Sequence, residues 1–276
     1  MSSLTALSQR ITRLKEVSGI MSAMKSLALV EMHKLARFLE HQRRMLASIE
    51  AAIGDFLSFH PLERLREPAP ALILALGSER GFCGNFNDQV LAALNELPPG
   101  TPAPQLVLLG QRLNAKEPSR ANVIARLDGP SVTEDVPDIL DRLMDALHAA
   151  HPQLAGTATL LTLAHGAEGY PVLKSLLPLK PSTRRFPYAP RLQLAPSALF
   201  AELLDQYLLA ALTGLLYESL AAENRQRLAH MEQALDRLDE TLARLALQRN
   251  RLRQEGIVEE IEVILSSGQA LHPDTP

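Results

Sequence analysis

The sequence predicts an α/β body set between two long helices that pair with each other as an antiparallel coiled coil. Three observations predict it: matching heptad ladders at the two ends, proline nearly confined to the middle, and short apolar runs alternating with helical segments in between. The first ladder runs from Leu4 through Leu7, Ile11 and Leu14 to Ile53 and Phe56 in alternating steps of three and four, with Ser18, Lys25 and Gln42 as its polar members. The second holds Leu228, Met231, Leu235, Leu238, Leu242, Leu245, Arg249 and Leu252. Such steps average 3.5 residues per turn and draw one apolar seam along a left-handed supercoil. No proline precedes Pro61 and none lies between Pro196 and Pro273, so neither helix meets a break. At a rise of ~1.5 Å per residue each would reach roughly 80–100 Å. Pairing within the chain follows most directly, because one helix leaves the body and the other returns to it. An intermolecular coiled coil would use the same seams.

Residues 1–59 read as the first helix, 60–196 as the body, 197–272 as the second helix and 273–276 as a tail. His60 and Pro61 begin the break, and 66–70 is a short linker rich in proline. The run at 71–76 is long enough for a buried strand and too short for a helix. A loop at 77–87 leads into helical spacing over 88–97, and 98–104, crowded with proline, is a loop again. Residues 106–109 predict a second strand and 122–125 a weaker third. The amphipathic helix at 134–149 carries Ile139, Leu140, Leu143 and Leu147 on one side. Strands at 158–163 and 172–177 complete the body. The alternation implies a largely parallel sheet.

Composition narrows the function. A net charge of −3 gives no reason to expect nucleic acid as a partner. One cysteine, Cys83, excludes an internal disulfide and fits a reducing, cytosolic compartment. The polar N-terminus has no signal-peptide core, and the longest apolar stretch, 208–217, is about half the ~20 residues a membrane span needs. No direct membrane insertion is expected.

The loop Gly77-Ser78-Glu79-Arg80-Gly81-Phe82-Cys83-Gly84-Asn85 sits between a strand and a helix, where phosphate-binding loops occur. It lacks a terminal Gly-Lys-Ser/Thr, and its glycine spacing misses the dinucleotide fingerprint, which favours a tight turn over nucleotide binding. Cys83 has no nucleophile signature around it and reads as a small buried apolar group. The histidines are scattered, and His33 and His41, eight apart, have no carboxylate pattern suited to metal. No metal, cofactor or catalytic residue is assigned. Beyond Leu252 the heptad drifts, Gly256 interrupts it, and Ile257, Val258, Ile261, Ile264 and Leu265 form a wider apolar face. A face broader than its coiled-coil seam needs a second surface, so this end is expected to enter a partner.

Three blocks together resemble the gamma subunit of the rotary F-type ATP synthase. They are the first helix with Ile11, Ala23, Met24 and Met32; the loop Ser78-Glu79-Arg80-Gly81-Phe82-Cys83-Gly84; and the C-terminal stretch Ser219-Leu220-Ala221-Ala222-Glu223-Asn224 followed by Arg253, Gln254, Ile257, Glu260, Ile261 and Ile264. Their order and separation agree over essentially the whole chain. The chain departs from the family pattern at Glu16-Val17-Ser18-Gly19-Ile20-Met21, at Glu255-Gly256 and at Val258, which suggests a divergent branch such as the alternative ion-translocating F-type enzymes.

The resemblance implies a Rossmann-like head, a non-catalytic central-stalk rotor and a position on the cytoplasmic face of the bacterial inner membrane. The implied partners are the hexamer of alpha and beta subunits, the epsilon subunit and the membrane c-ring. It places Met24 and Lys25 at a bearing near the collar of the hexamer, Arg253 and Gln254 against a beta-subunit loop, and Ile257, Glu260 and Ile261 in the sleeve above. Arg80 either shapes the head or touches a beta subunit during part of the cycle. Residues alone leave two other classes open: a structural coiled-coil adaptor with an α/β head, and a small α/β enzyme using the 77–87 loop.

Overall fold

The computed structural model describes residues 2–61, 71–97, 104–116, 122–150, 159–166, 168–184 and 188–270. The linker at 66–70, most of the proline-rich loop at 98–104 and the tail at 273–276 lie outside the described residues. Helix α1 spans Ser2–Phe59 and helix α5 Pro196–Ala270. Between them run β1 (Leu72–Leu76), α2 (Phe86–Glu96), β2 (Gln105–Leu109), α3 (Gln111–Asn114), β3 (Asn122–Leu127), a 3-10 turn (Thr133–Asp135), α4 (Val136–Ala150), β4 (Leu160–His165) and β5 (Pro171–Leu177). The chain forms two compact units, one of Met1–Leu27 with Ala229–Pro276 and one of Ala28–Leu228.

The heptad ladder is visible in burial. None of its positions from Leu4 to Phe56, or from Leu228 to Leu252, is exposed. In the unit of the two chain ends, Ile11, Met231 and Leu245 are buried, and ladder residue Lys25 pairs with Glu232 at 2.9 Å. In the larger unit Leu35 packs on Leu220 and Ala221, Phe38 stacks on Tyr217, and Gln42 Nε2 donates to the Ala210 carbonyl at 2.8 Å. Rising numbers on α1 meet falling numbers on α5, so the pairing is antiparallel and within one chain. The polar members Lys25 and Gln42 hold their seam positions because each finds a partner across the seam.

The sheet has five strands in the order β3-β2-β1-β4-β5. β1 lies parallel to β2 and β4, and β2 parallel to β3, while β5 runs antiparallel to β4. The sheet is therefore mixed, with one antiparallel edge strand on a parallel set that the sequence predicted. β1 is buried at every position, as a central strand covered on both faces must be. Leu72, Leu74 and Leu76 face a core shared with α4, the end of α1 (Ile53, Phe56, Leu57) and the start of α5 (Phe200, Leu204, Leu208). Ile73 and Ala75 face the other side, where Val90 and Leu94 of α2 and Leu113 of α3 cover them. β3 alternates exposed and half-buried, which is why its sequence signal is weak. By length and composition one window of α5 is apolar enough to cross a bilayer, and half of that window is buried inside the protein.

Candidate functional site

The loop after β1 is fixed before any partner arrives. Gly77 is hemmed in: a Cβ there would lie 2.3 Å from Leu113 Cβ and 2.6 Å from Asn87 Oδ1. Gly110, at φ 112°, brings the loop after β2 against the Gly77 carbonyl, a backbone angle that L side chains rarely take. Ser78 donates its N–H to Asn87 Oδ1 at 2.9 Å and accepts Asn87 Nδ2 on its hydroxyl at 2.8 Å. This is the tight turn that the glycine spacing predicts.

The crevice at the carboxyl ends of parallel strands is where α/β sheets bind anionic ligands. Here two carboxylates of the chain itself occupy the backbone donors. Glu79 Oε2 accepts the N–H groups of Gln111 at 2.9 Å and Gly129 at 2.7 Å, tying together the loops after β1, β2 and β3. Glu223 of α5 accepts the Glu79 N–H on Oε2 at 2.9 Å and the Arg80 N–H on Oε1 at 3.0 Å. A phosphate would have to displace both side chains.

Glu223 is also ion-paired with Arg227, one turn on, and both side chains are almost wholly buried. Arg227 Nη1 donates to Asn224 Oδ1 at 2.6 Å, and its Nε donates to the Gly81 carbonyl at 3.3 Å. Burial pushes the Glu223 carboxyl up, while Arg227 and the two loop N–H groups pull it down. Cys83 is buried beside Phe86 and Ala222, and burial followed by the Glu223 charge pushes its thiol up to about 11. A thiol so placed is a packing group and a poor nucleophile.

The other candidate residues sit differently. Arg80 is exposed on the loop, beside Phe82, itself 57% exposed. Met24 is half-buried and Lys25 is engaged with Glu232. Arg253, Gln254 and Glu260 are exposed, as are Ile257 and Ile261. Arg253, Ile257, Glu260, Ile261 and Ile264 recur at helical steps of three and four and share a face. In the unit of the chain ends, the Lys25–Glu232 register brings Ser2 opposite about residue 255, so α5 continues past the end of its partner helix. The expected broad apolar face is thus present and exposed. Among the described residues no group of three or more His, Cys, Asp or Glu could hold a metal ion.

A sequence model of the family described as ATP synthase matches residues 3–271. The chain belongs to the ATP synthase gamma-chain family. It is 25% identical to the ATP synthase gamma chain of Pelotomaculum thermopropionicum, covering 98% of this chain and 100% of that one. It is 28% identical to the gamma chain of Saccharopolyspora erythraea, covering 98% of each. Two solved structures of Euglena gracilis mitochondrial ATP synthase share the fold. A chain of the rotor in rotational state 1 matches with a TM-score of 0.58 at 14% identity, covering 93% of this chain and 99% of that one. A chain of the OSCP/F1/c-ring assembly in rotational state 3 matches with a TM-score of 0.61 at 12% identity, covering 98% and 95%. As a gamma chain, this subunit is a non-catalytic part of the ATP synthase complex.

Sequence reasoning missed Arg227 and gave Glu79 and Glu223 no role of their own. One signal was available: Glu223 and Arg227 are an acidic and a basic residue four apart, just past the apolar residues 220–222 of α5. Opposite charges at that spacing on a helix face that must pack inward call for a buried pair with further hydrogen bonds.

Proposed function

We propose that this chain is the rotor of an ATP synthase central stalk. It carries torque between a proton- or sodium-translocating membrane c-ring and the hexamer of alpha and beta subunits, with epsilon beside the head. One observation carries the reading: the exposed apolar face of Ile257, Val258, Ile261 and Leu265 on a helix that outruns its intrachain partner. An apolar helix face of this breadth is stable in water only against another surface, and a sleeve formed by a ring of subunits supplies one from all sides. The gamma-chain membership, and the description of the Euglena assembly as OSCP/F1/c-ring, support the choice of partner. The subunit lies peripheral to the membrane, on its cytoplasmic face in a bacterium.

In this reading Arg253 and Gln254 are polar contacts to a beta subunit, and Ile257, Glu260 and Ile261 line the sleeve. Met24 and Lys25 belong to the bearing, and Arg80 touches a beta subunit during part of the cycle. Contacts made at some rotor angles and not others bias which catalytic site is open, because an element with equal contacts in every state shifts no equilibrium. An arginine at 253 can offer two parallel donors to a carboxylate, which a lysine cannot. Coexpression with alpha, beta and epsilon subunits tests the reading. A complex whose ATP hydrolysis drives rotation of a marker fixed to Lys116 of the head is the expected result. Hydrolysis-competent alpha-beta assemblies that form without incorporating this chain would overturn it.

A further inference from the structure

We propose that Glu223 is the positioning residue of the Arg80 loop: paired with Arg227, it clamps the loop backbone to helix α5 so that the Arg80 tip moves with that helix as one rigid part. The proposal rests on the reading of Arg80 as a stator contact. The loop N–H groups of Glu79 and Arg80 each take a separate oxygen of the same carboxylate, at 2.9 and 3.0 Å. Arg227 reaches past that carboxylate to the Gly81 carbonyl, and Asn224 holds the guanidinium from the other side. The clamp therefore grips three consecutive residues, Glu79, Arg80 and Gly81, through backbone atoms alone, leaving the Arg80 side chain outward.

Phe82 gives a second, independent sign that the tip is held. It lies at φ 65°, a left-handed conformation costly for a residue with a side chain, and it is too exposed for its own packing to compensate. Its neighbours impose the angle: Gly81 through Arg227, and Cys83 through burial against Phe86 and Ala222. On the far side the Glu79 carboxylate fastens the same loop to the loops after β2 and β3. A tip ordered in advance loses little further freedom on meeting a partner, and a load applied at Arg80 has a direct path to α5 through Glu223.

The test uses the assembled alpha–beta–gamma complex. Glu223→Gln keeps the size of the side chain but leaves one oxygen for two N–H donors. Arg227→Lys keeps the charge and loses the reach to Gly81, and it serves if the glutamine variant does not fold. Backbone amide exchange over 78–84 should speed up ~10- to 100-fold in either variant, the loss of charge-assisted hydrogen bonds to a loop. ATP turnover should fall to the level of Arg80→Ala, and adding Arg80→Ala to Glu223→Gln should lower it no further. Unchanged exchange in both variants overturns the clamp. Losses that multiply in the double variant also overturn it, since a general loss of stability would act independently of Arg80. If Arg80→Ala alone leaves turnover intact, the stator reading beneath the proposal falls, and the exchange data tell that failure from failure of the clamp.

Discussion

Two stretches of α5 carry residues that resemble the gamma family, and they behave in opposite ways. The stretch 219–227 is turned inward: Ser219, Glu223, Asn224 and Arg227 are buried, and the last three satisfy one another or the loop after β1. The stretch 253–265 is turned outward, with Arg253, Gln254 and the apolar side chains of Ile257, Val258, Ile261 and Leu265 all exposed. The same kind of resemblance therefore marks two different physical needs. Inward residues answer to the chain's own fold, and their loss should register in the isolated subunit. Outward residues answer to a partner, and their loss should register only in the assembly.

The sharpest test of the inward side is Arg227→Ala, which strands the buried Glu223 carboxylate without its cation. We expect the isolated chain to lose ~3–5 kcal/mol, read as a shift in its denaturant midpoint. A loss no larger than that of an exposed arginine would erase the contrast. On the outward side, Ile257→Ser combined with Ile261→Ser should leave the isolated chain within ~0.5 kcal/mol of the parent. The same pair should weaken assembly with alpha and beta by ~2–4 kcal/mol, since each isoleucine is already about half shielded. Normal complex yield at low subunit concentration would show that this face is not buried in the sleeve.

Arg253→Ala with Gln254→Ala comes next. Folding should be untouched and ATP turnover of the complex should fall, consistent with hydrogen bonds of ~1.5–3 kcal/mol made at some rotor angles. Equal turnover and equal ion pumping would remove the pair from the contact surface. Cys83 returns to the inward side. With its thiol pushed up to about 11, roughly one molecule in a thousand is thiolate at pH 8, so a maleimide should label the native chain far more slowly than the unfolded one. Equal rates would mean that the loop opens freely. The smallest effect belongs to Met24. Met24→Leu should be nearly silent. Met24→Lys should assemble and pump fewer ions per ATP, because its ammonium would seek a stator carboxylate, a pair worth ~0–1 kcal/mol when exposed and more in a poorly solvated collar. Ion uptake and hydrolysis measured on the same vesicles decide this, and an unaltered ratio would rule out a bearing role.

Much of the architecture was legible in the residues. Ladder steps of three and four fixed which face of each long helix is buried, and the absence of proline left both ends free to run as long helices, because both are local properties of a 3.6-residue helix. The apolar runs at 71–76 and 106–109 showed where the central strands lie, and Ile139, Leu140, Leu143 and Leu147 showed which face of α4 they meet. The sequence by itself also displayed the apolar excess beyond Leu252. What it could not reveal was which contacts close over long separations. That Gln42 finds the Ala210 carbonyl, and that Glu223 reaches back to the amides of Glu79 and Arg80, depend on residues more than a hundred positions apart in sequence being brought within about 3 Å. A hydrogen bond requires that proximity and a direction, and a periodic pattern encodes neither. Only the tertiary structure could therefore separate the loop's two readings. The same glycine-rich turn could cradle a phosphate or receive a carboxylate from its own chain, and the packing of α5 against the head decided for the carboxylate.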